Sequence, residues 1–177
     1  MRAITGKAFT NDYSPTCSPL YAVCSVDYQG MEKYLVFIEA GPNNGSLEAL
    51  IEQGDALCCD LILLCFDGAD PHSFTHLPMY RERLTWSKQT PCLLVECKAD
   101  RTLATPPHAT AWAAQEGLPI LRLSVGHNHE EEDAEDDHLL KEQDSAGIDD
   151  LVQMSVAVAM NPLEKIPSLR STPANLW

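Results

Sequence analysis

The sequence predicts an α/β fold of three layers, a mostly parallel sheet with helices on both faces. The runs "CDLILLCF" (59–66), "PCLLVE" (91–96) and "PILRLS" (119–124) are short, continuous and apolar, the mark of strands covered on both sides. Helix-like segments follow each of them, and single strands alternating with helices imply parallel pairing through crossovers. Two alternating runs near the start add an antiparallel hairpin at one edge.

The elements follow in order. "LYAVCSVDY" (20–28) alternates and is rich in Val, Tyr and Cys, and "KYLVFIE" (33–39) is apolar and partly aromatic. With "YQGM" between them they predict adjacent strands. "AGPNNGS" is a loop by composition, and Ser46 is placed to cap a helix carrying Leu47, Leu50 and Ile51 on one face. After "CDLILLCF", Asp70 as N-cap and Pro71 at the first helical position mark a helix start. Pro78 removes a backbone donor and should shift or bend that helix. "PPHATAWAAQEG" predicts a short helix stopped at Gly117. "IDDLVQMSVAVAM" (148–160) predicts the last helix, with Ile148, Leu151, Val152, Ser155, Val156 and Ala159 in register, ended by Asn161-Pro162. The order is β-β-α-β-α-β-α-β-α.

At 177 residues and 45% apolar, the chain has material for one domain with a core, placed at 1–162, with a tail over 163–177. No apolar run reaches bilayer length, and the start shows no secretory signal pattern. The net charge is −14, of which −8 falls in residues 130–144. The segment 130–146 therefore reads as a solvated, flexible acidic insertion. Without a basic face to displace phosphate counterions, nucleic-acid binding is not expected. Five of the seven cysteines (Cys24, Cys59, Cys65, Cys92, Cys97) lie in or beside apolar runs and read as reduced, buried thiols of an intracellular protein. No C-x-x-C spacing occurs, so a zinc ribbon is not expected. His72 and His76 lack a carboxylate or thiol partner, His127, His129 and His138 sit among acids, and Cys58-Cys59 reads as packing. None of these predicts a metal site.

The sharpest chemical signal is "LLVECKAD" (93–100), a buried strand delivering Lys98 and Asp100 to the edge where α/β folds bind ligands. GTP-binding proteins hold Asn-Lys-x-Asp here. The carboxylate takes two hydrogen bonds from the guanine edge, and the Lys stem lies over the base. Asp100 and Lys98 can do both jobs, while Cys97 replaces the Asn and loses the side-chain bonds that brace the loop. The plainer alternative is an exposed Lys and a capping Asp. In "YSPT" (13–16), Thr16 precedes a strand where small GTPases keep a Thr that senses Mg²⁺ and the γ-phosphate. An ordinary loop Thr is the alternative. "FIEAG" (37–41) stands where such proteins carry D-x-x-G. Gly41 keeps the amide for a γ-phosphate, Ile38 occupies the Asp position, and Pro42 stands in place of a water-positioning Gln. Hydrolysis is therefore not supported. Ser124, ending the last strand, is placed for a base-contacting loop or as a plain loop Ser. Gly6-Lys7 has no Gly five residues earlier and is followed by Ala8, so it is not a phosphate loop.

Taken together, "YSPTCSPLYAVCSVDYQGMEKYLVFIEAG", "CDLILLCFDGADPHSF", "PCLLVECKAD" and the helix ending "AMNP" resemble the mitochondrial Rho-type GTPases, Miro, in their C-terminal GTPase domain, over about residues 3–162. The resemblance implies a small-GTPase (P-loop NTPase-like) fold and GTP/GDP with Mg²⁺ as ligands. By resemblance Thr16 is the metal ligand, and Lys98, Asp100, Ser124, Gly41 and Thr16 contact the nucleotide. The family combines this domain with another GTPase domain, calcium-binding units and an outer-membrane anchor. It implies roles in mitochondrial transport, morphology and inheritance through motor adaptors and organelle-contact proteins. On this alignment "RAITGKAFTNDYSPT" falls after the phosphate loop, so the first strand and P-loop are expected to be missing from these residues. Losing a central strand would cost several ladder bonds at about 1 kcal/mol each, against a domain stability of roughly 5–15 kcal/mol. The expectation is a chain impaired in nucleotide binding. The alternative is a non-catalytic pseudo-GTPase acting as a soluble interaction module. An unrelated α/β enzyme finds no nucleophile–base pair in the sequence.

Overall fold

The computed structural model describes residues 4, 16, 18–41, 47, 59–84, 90–124 and 137–161. The segment around Gly6-Lys7, the segment after Ser46 expected to be a helix apart from Leu47, which is helical and buried, Pro42, the first part of the acidic tract and the tail lie outside them. Two compact units are present, one spanning Met1–Cys59 with His127–Asp137, the other Asp60–Gly126 with His138–Trp177.

In the first unit β1 (Leu20–Tyr28) and β2 (Met31–Glu39) pair antiparallel over their whole length, from Leu20 opposite Glu39 to Tyr28 opposite Met31. The turn is two residues rather than the four of "YQGM", because Gln29 (φ 56°) and Gly30 (φ 76°) both take the left-handed conformation. That geometry matches the twist of the flanking strands. The Asp27 carboxylate accepts from the Gly30 N–H at 3.1 Å and fixes the turn. Alternation turns Ala22, Cys24 and Val26 to one face, of which Val26 is buried, and Tyr21, Val23, Tyr34 and Val36 to the exposed other. Among the described residues the hairpin is hydrogen-bonded as a two-stranded sheet of its own.

The second unit holds a parallel sheet in the order β3-β4-β5, made of Ile62–Asp67, Cys92–Cys97 and Ile120–Leu123. Leu64 stands opposite Leu94, and Leu94 opposite Ile120. β4 lies between two partners, and Cys92 to Glu96 are all buried. β3 departs from the expected two-sided burial: Leu64 and Phe66 are buried while Cys65, on the other face, is exposed. Of the five cysteines read as buried thiols, only Cys92 is fully so, and all five are thiols.

Helices cover both faces, as predicted. Leu64, Phe66, Cys92 and Leu94 pack against Phe74, Leu77, Ala109, Ala113 and Leu118 on one side. Those partners come from α1 (Pro71–Phe74), α2 (Leu77–Leu84) and α3 (Pro107–Glu116) with the residues that follow it. Phe74 meets Phe66 and Trp112 edge to face at centroid distances of 5.4 and 5.5 Å. On the other side Leu93 packs with Val158 of α4 (Asp137–Met160), beside Leu61 and Leu63.

Helix boundaries show the local physics. Asp70 caps α1, its carboxylate accepting from the His72 N–H at 2.9 Å. The helix then breaks after Phe74, and Pro78 falls in the first turn of α2, where its missing N–H costs nothing. Gly117 ends α3 at φ 64°, as its position predicted. α4 begins at Asp137, well before Ile148, so the second half of the acidic tract is helical rather than loose. The stretch "HLLKEQ" is made of strong helix formers, and acids at a helix start suit the dipole. Among the described residues no helix is long and apolar enough to cross a membrane.

Candidate functional site

The C-terminal ends of β3, β4 and β5 converge on one edge of the parallel sheet, and the three sequence-predicted residues of this unit meet there. Lys98 follows β4 directly and takes the left-handed conformation (φ 55°, ψ 39°). Such a conformation is costly for a residue with a Cβ and recurs at functional sites. A short 3₁₀ turn, Ala99–Arg101, then carries Asp100, with the Arg101 N–H donating to the Lys98 carbonyl at 3.0 Å. Ser124, just past β5, donates its hydroxyl to Asp100 Oδ1 at 3.0 Å. Asp100 is thus steered by the neighbouring strand end while staying exposed. A carboxylate held this way presents acceptors to a ligand with paired N–H donors.

Lys98 does something the sequence did not announce. Its ammonium reaches Asp67, the last residue of β3, at 2.6 Å. Burial pushes the Asp67 carboxyl up, but Lys98, the Ala69 N–H (2.9 Å) and the charge of Arg101 pull harder, and it lies below its ordinary value. Asp67 is held by "DGADPHS": its own N–H donates to Ser73 Oγ at 2.9 Å, and its carboxylate accepts from Ala69.

The second missed feature is the brace beneath the loop. Glu96 is fully buried, in register with Arg122 on β5 and Phe66 on β3. Its carboxylate accepts from Thr102 Oγ1 at 2.7 Å, from Thr105 Oγ1, and from Arg122 Nε at 3.2 Å. Arg122 in turn donates to the carbonyls of Ala99 (3.1 Å) and Thr102 (2.8 Å). Burial pushes the Glu96 carboxyl up, and the three donors with the Arg122 charge bring it below its ordinary value. The loop 98–103 is therefore tied down from below. Gly68 makes room for the Glu96 side chain: a Cβ there would stand 2.6 Å from Glu96 Oε1. The signals were present as an acid inside an apolar run and an Arg in the next strand, but register was needed to join them.

Thr16 and Gly41 meet in the other unit. A Cβ at Gly41 would lie 2.8 Å from the Thr16 carbonyl oxygen, so the approach requires glycine. The Thr16 hydroxyl donates to Glu39 Oε1 at 2.6 Å, a partner the sequence did not suggest. Magnesium takes one or two protein oxygens and completes its shell with phosphates and water. Thr16 Oγ1 and the Glu39 carboxylate are oxygens of that class, while Ile38 offers none. Among the described residues no group of three His, Cys, Asp or Glu side chains is placed to hold a metal.

No protein-family model matches the sequence. Over 102 residues, 56% of the chain, it is 35% identical to Mitochondrial Rho GTPase 1 of Saccharomyces cerevisiae, a match covering 15% of that protein. It is 31% identical to Mitochondrial Rho GTPase 1 of Mycosarcoma maydis over 129 residues, 71% of the chain and 17% of the relative. The protein of the same name from Neurospora crassa is 35% identical over 102 residues, 56% of the chain and 16% of the relative. The chain therefore spans less than a fifth of the length of these relatives.

Proposed function

We propose, for a chain whose sequence is that of a Miro-like GTPase domain of the mitochondrial Rho GTPases, that the corner formed by Lys98, Asp100 and Ser124 recognises guanine. The observation that carries this reading is the Ser124–Asp100 hydrogen bond, which aims an exposed carboxylate from a braced loop. In the bound state Asp100 would accept from the two N–H donors of the guanine edge, and the Lys98 stem would leave Asp67 to cover the ring.

Phosphate finds fewer partners than the base does. The 177 residues contain no G-x-x-x-x-G-K-[ST], which would supply the amides and Lys that cradle phosphates. Gly41 and Thr16 are the remaining candidates, Thr16 with Glu39 for Mg²⁺. The chain is accordingly a weak GTP and GDP binder without hydrolysis of its own. Placed in a longer protein of this family, it would serve at the mitochondrial outer membrane, in transport, morphology and inheritance, with motor adaptors or organelle-contact proteins as partners. A second reading, a pseudo-GTPase interaction module, draws support from the Lys98–Asp67 pair, which closes the corner on itself.

Nucleoside titration of the chain tests the proposal. Guanosine should bind in preference to adenosine, and Asp100→Ala should abolish the preference. Equal binding of the two nucleosides by the unsubstituted chain would favour the second reading.

A further inference from the structure

Asp100 has a short side chain, so the plane of its carboxylate follows the backbone of the 3₁₀ turn, Ala99–Arg101, that carries it. A ligand with two adjacent N–H donors needs both carboxylate oxygens in its own plane. That backbone must be fixed before the ligand arrives if binding is not to lose the cost of ordering it.

β5 fixes it at two places. Ser124, just past the strand, donates to Asp100 Oδ1 at 3.0 Å. Arg122, two residues earlier, takes hold of the backbone: its Nη2 donates to the carbonyls of Ala99 at 3.1 Å and of Thr102 at 2.8 Å. The Ala99 carbonyl shares a rigid peptide plane with the Asp100 N–H, so a bond to it sets the direction in which the chain enters Asp100. The Thr102 N–H donates to the same carbonyl at 3.4 Å and closes the turn over it. At its other end Arg122 Nε donates at 3.2 Å to Glu96, which has no exposed surface. The guanidinium is thus anchored in the core on one edge and applied to the turn on the other. A planar fork with five donors can do both, whereas a Lys ammonium gathers its donors on one nitrogen and gives up one set.

We propose that Arg122 is a positioning residue for base selection, an inference that rests on the reading of Asp100 as the guanine acceptor. Guanine offers Asp100 two neighbouring donors, its ring N–H and its amino group. Adenine offers an amino group beside a ring nitrogen that is an acceptor. A carboxylate tilted out of the ligand plane keeps one bond, which either base can supply, and loses the second, which only guanine supplies. Loss of the Arg122 clamp therefore erodes the preference for guanine more than it erodes nucleoside binding as such.

The test titrates the full chain with guanosine and adenosine, unsubstituted and as Arg122→Lys, with urea unfolding to show that the variant is folded. Guanosine affinity should fall about tenfold, the worth of about one hydrogen bond to a charged group, and adenosine affinity should change far less. Asp100→Ala has no preference to lose, so adding Arg122→Lys to it should leave the ratio unchanged. A folded Arg122→Lys that still prefers guanosine overturns the proposal, and so does a further change of the ratio in the double variant. The unsubstituted chain supplies a readout that depends on no variant folding. By linkage, guanosine should slow the exchange of the Arg122 Nε–H with water, followed by NMR, and adenosine should not; equal exchange with either nucleoside overturns the proposal. An unsubstituted chain that binds both nucleosides alike defeats the guanine reading and this inference with it. A preference for guanosine that survives without Arg122 defeats the inference alone.

Discussion

Removing the Glu96 carboxylate should cost more stability than any surface change in the chain. Glu96 has no exposed surface and accepts from Thr102, Thr105 and Arg122. Hydrogen bonds to a charged group are worth about 1.5–3 kcal/mol each, and truncation leaves their donors without a partner. Breaking a buried ion pair costs about 3–5 kcal/mol. The Arg122 side chain is 38% exposed, so water replaces part of its lost interaction and its share must be reduced. Counting the two threonine bonds in full and discounting Arg122, Glu96→Ala should cost about 3–6 kcal/mol, a large part of a typical domain's roughly 5–15 kcal/mol. Glu96→Gln keeps an acceptor for one threonine and should cost about 1–3 kcal/mol. Urea unfolding followed by circular dichroism reads both, with the m-value held constant as a check on the comparison. Unfolding of Glu96→Ala within about 1 kcal/mol of the unsubstituted chain, or damage from Glu96→Gln equal to that from Glu96→Ala, would rule out the Glu96 carboxylate as the brace.

Two further outcomes follow from the same brace. Gly68→Ala would place a Cβ 2.6 Å from Glu96 Oε1, an oxygen pinned by its partners, and should lower stability by about 1–3 kcal/mol in the same urea assay. Acid should also act here: Glu96 and Asp67 both lie below their ordinary values of 4.5 and 3.8 in the folded chain. A depressed carboxyl contributes its stability above the ordinary value and loses it as pH falls through the folded one. The thermal midpoint should be level above about pH 5 and fall below it, less steeply in Glu96→Gln; an equal slope in both chains would remove Glu96 as a cause.

The parallel strands and their covering helices were legible because their signals are local. Runs such as "LLVEC" have no polar alternation, Asp70-Pro71 is a helix start by itself, and Gly117 is a stop by itself. Lys98, Asp100 and Ser124 were legible for a related reason: each sits one to three residues beyond a strand, and parallel strands bring their ends to one edge. What stayed hidden depends on register. Glu96 and Arg122 are 26 residues apart, and only the pairing of β4 with β5 shows that they meet. Asp67 and Lys98, 31 apart, are joined the same way, as are Thr16 and Glu39 through the start of the hairpin. The helix over residues 137–146 of the acidic tract also stayed hidden, because a run of acids carries no apolar period, although helix propensity and negative charge are compatible at a helix N-terminus.

A guanine-recognition corner with little hold on phosphate can be read by calorimetric titration with guanosine, GTP and adenosine. Guanosine and GTP should bind within about tenfold of each other, or 1.4 kcal/mol, adenosine should bind more weakly, and Asp100→Ala should erase the difference between the bases. Micromolar GTP binding much tighter than that of guanosine, or binding that ignores the base, would contradict it.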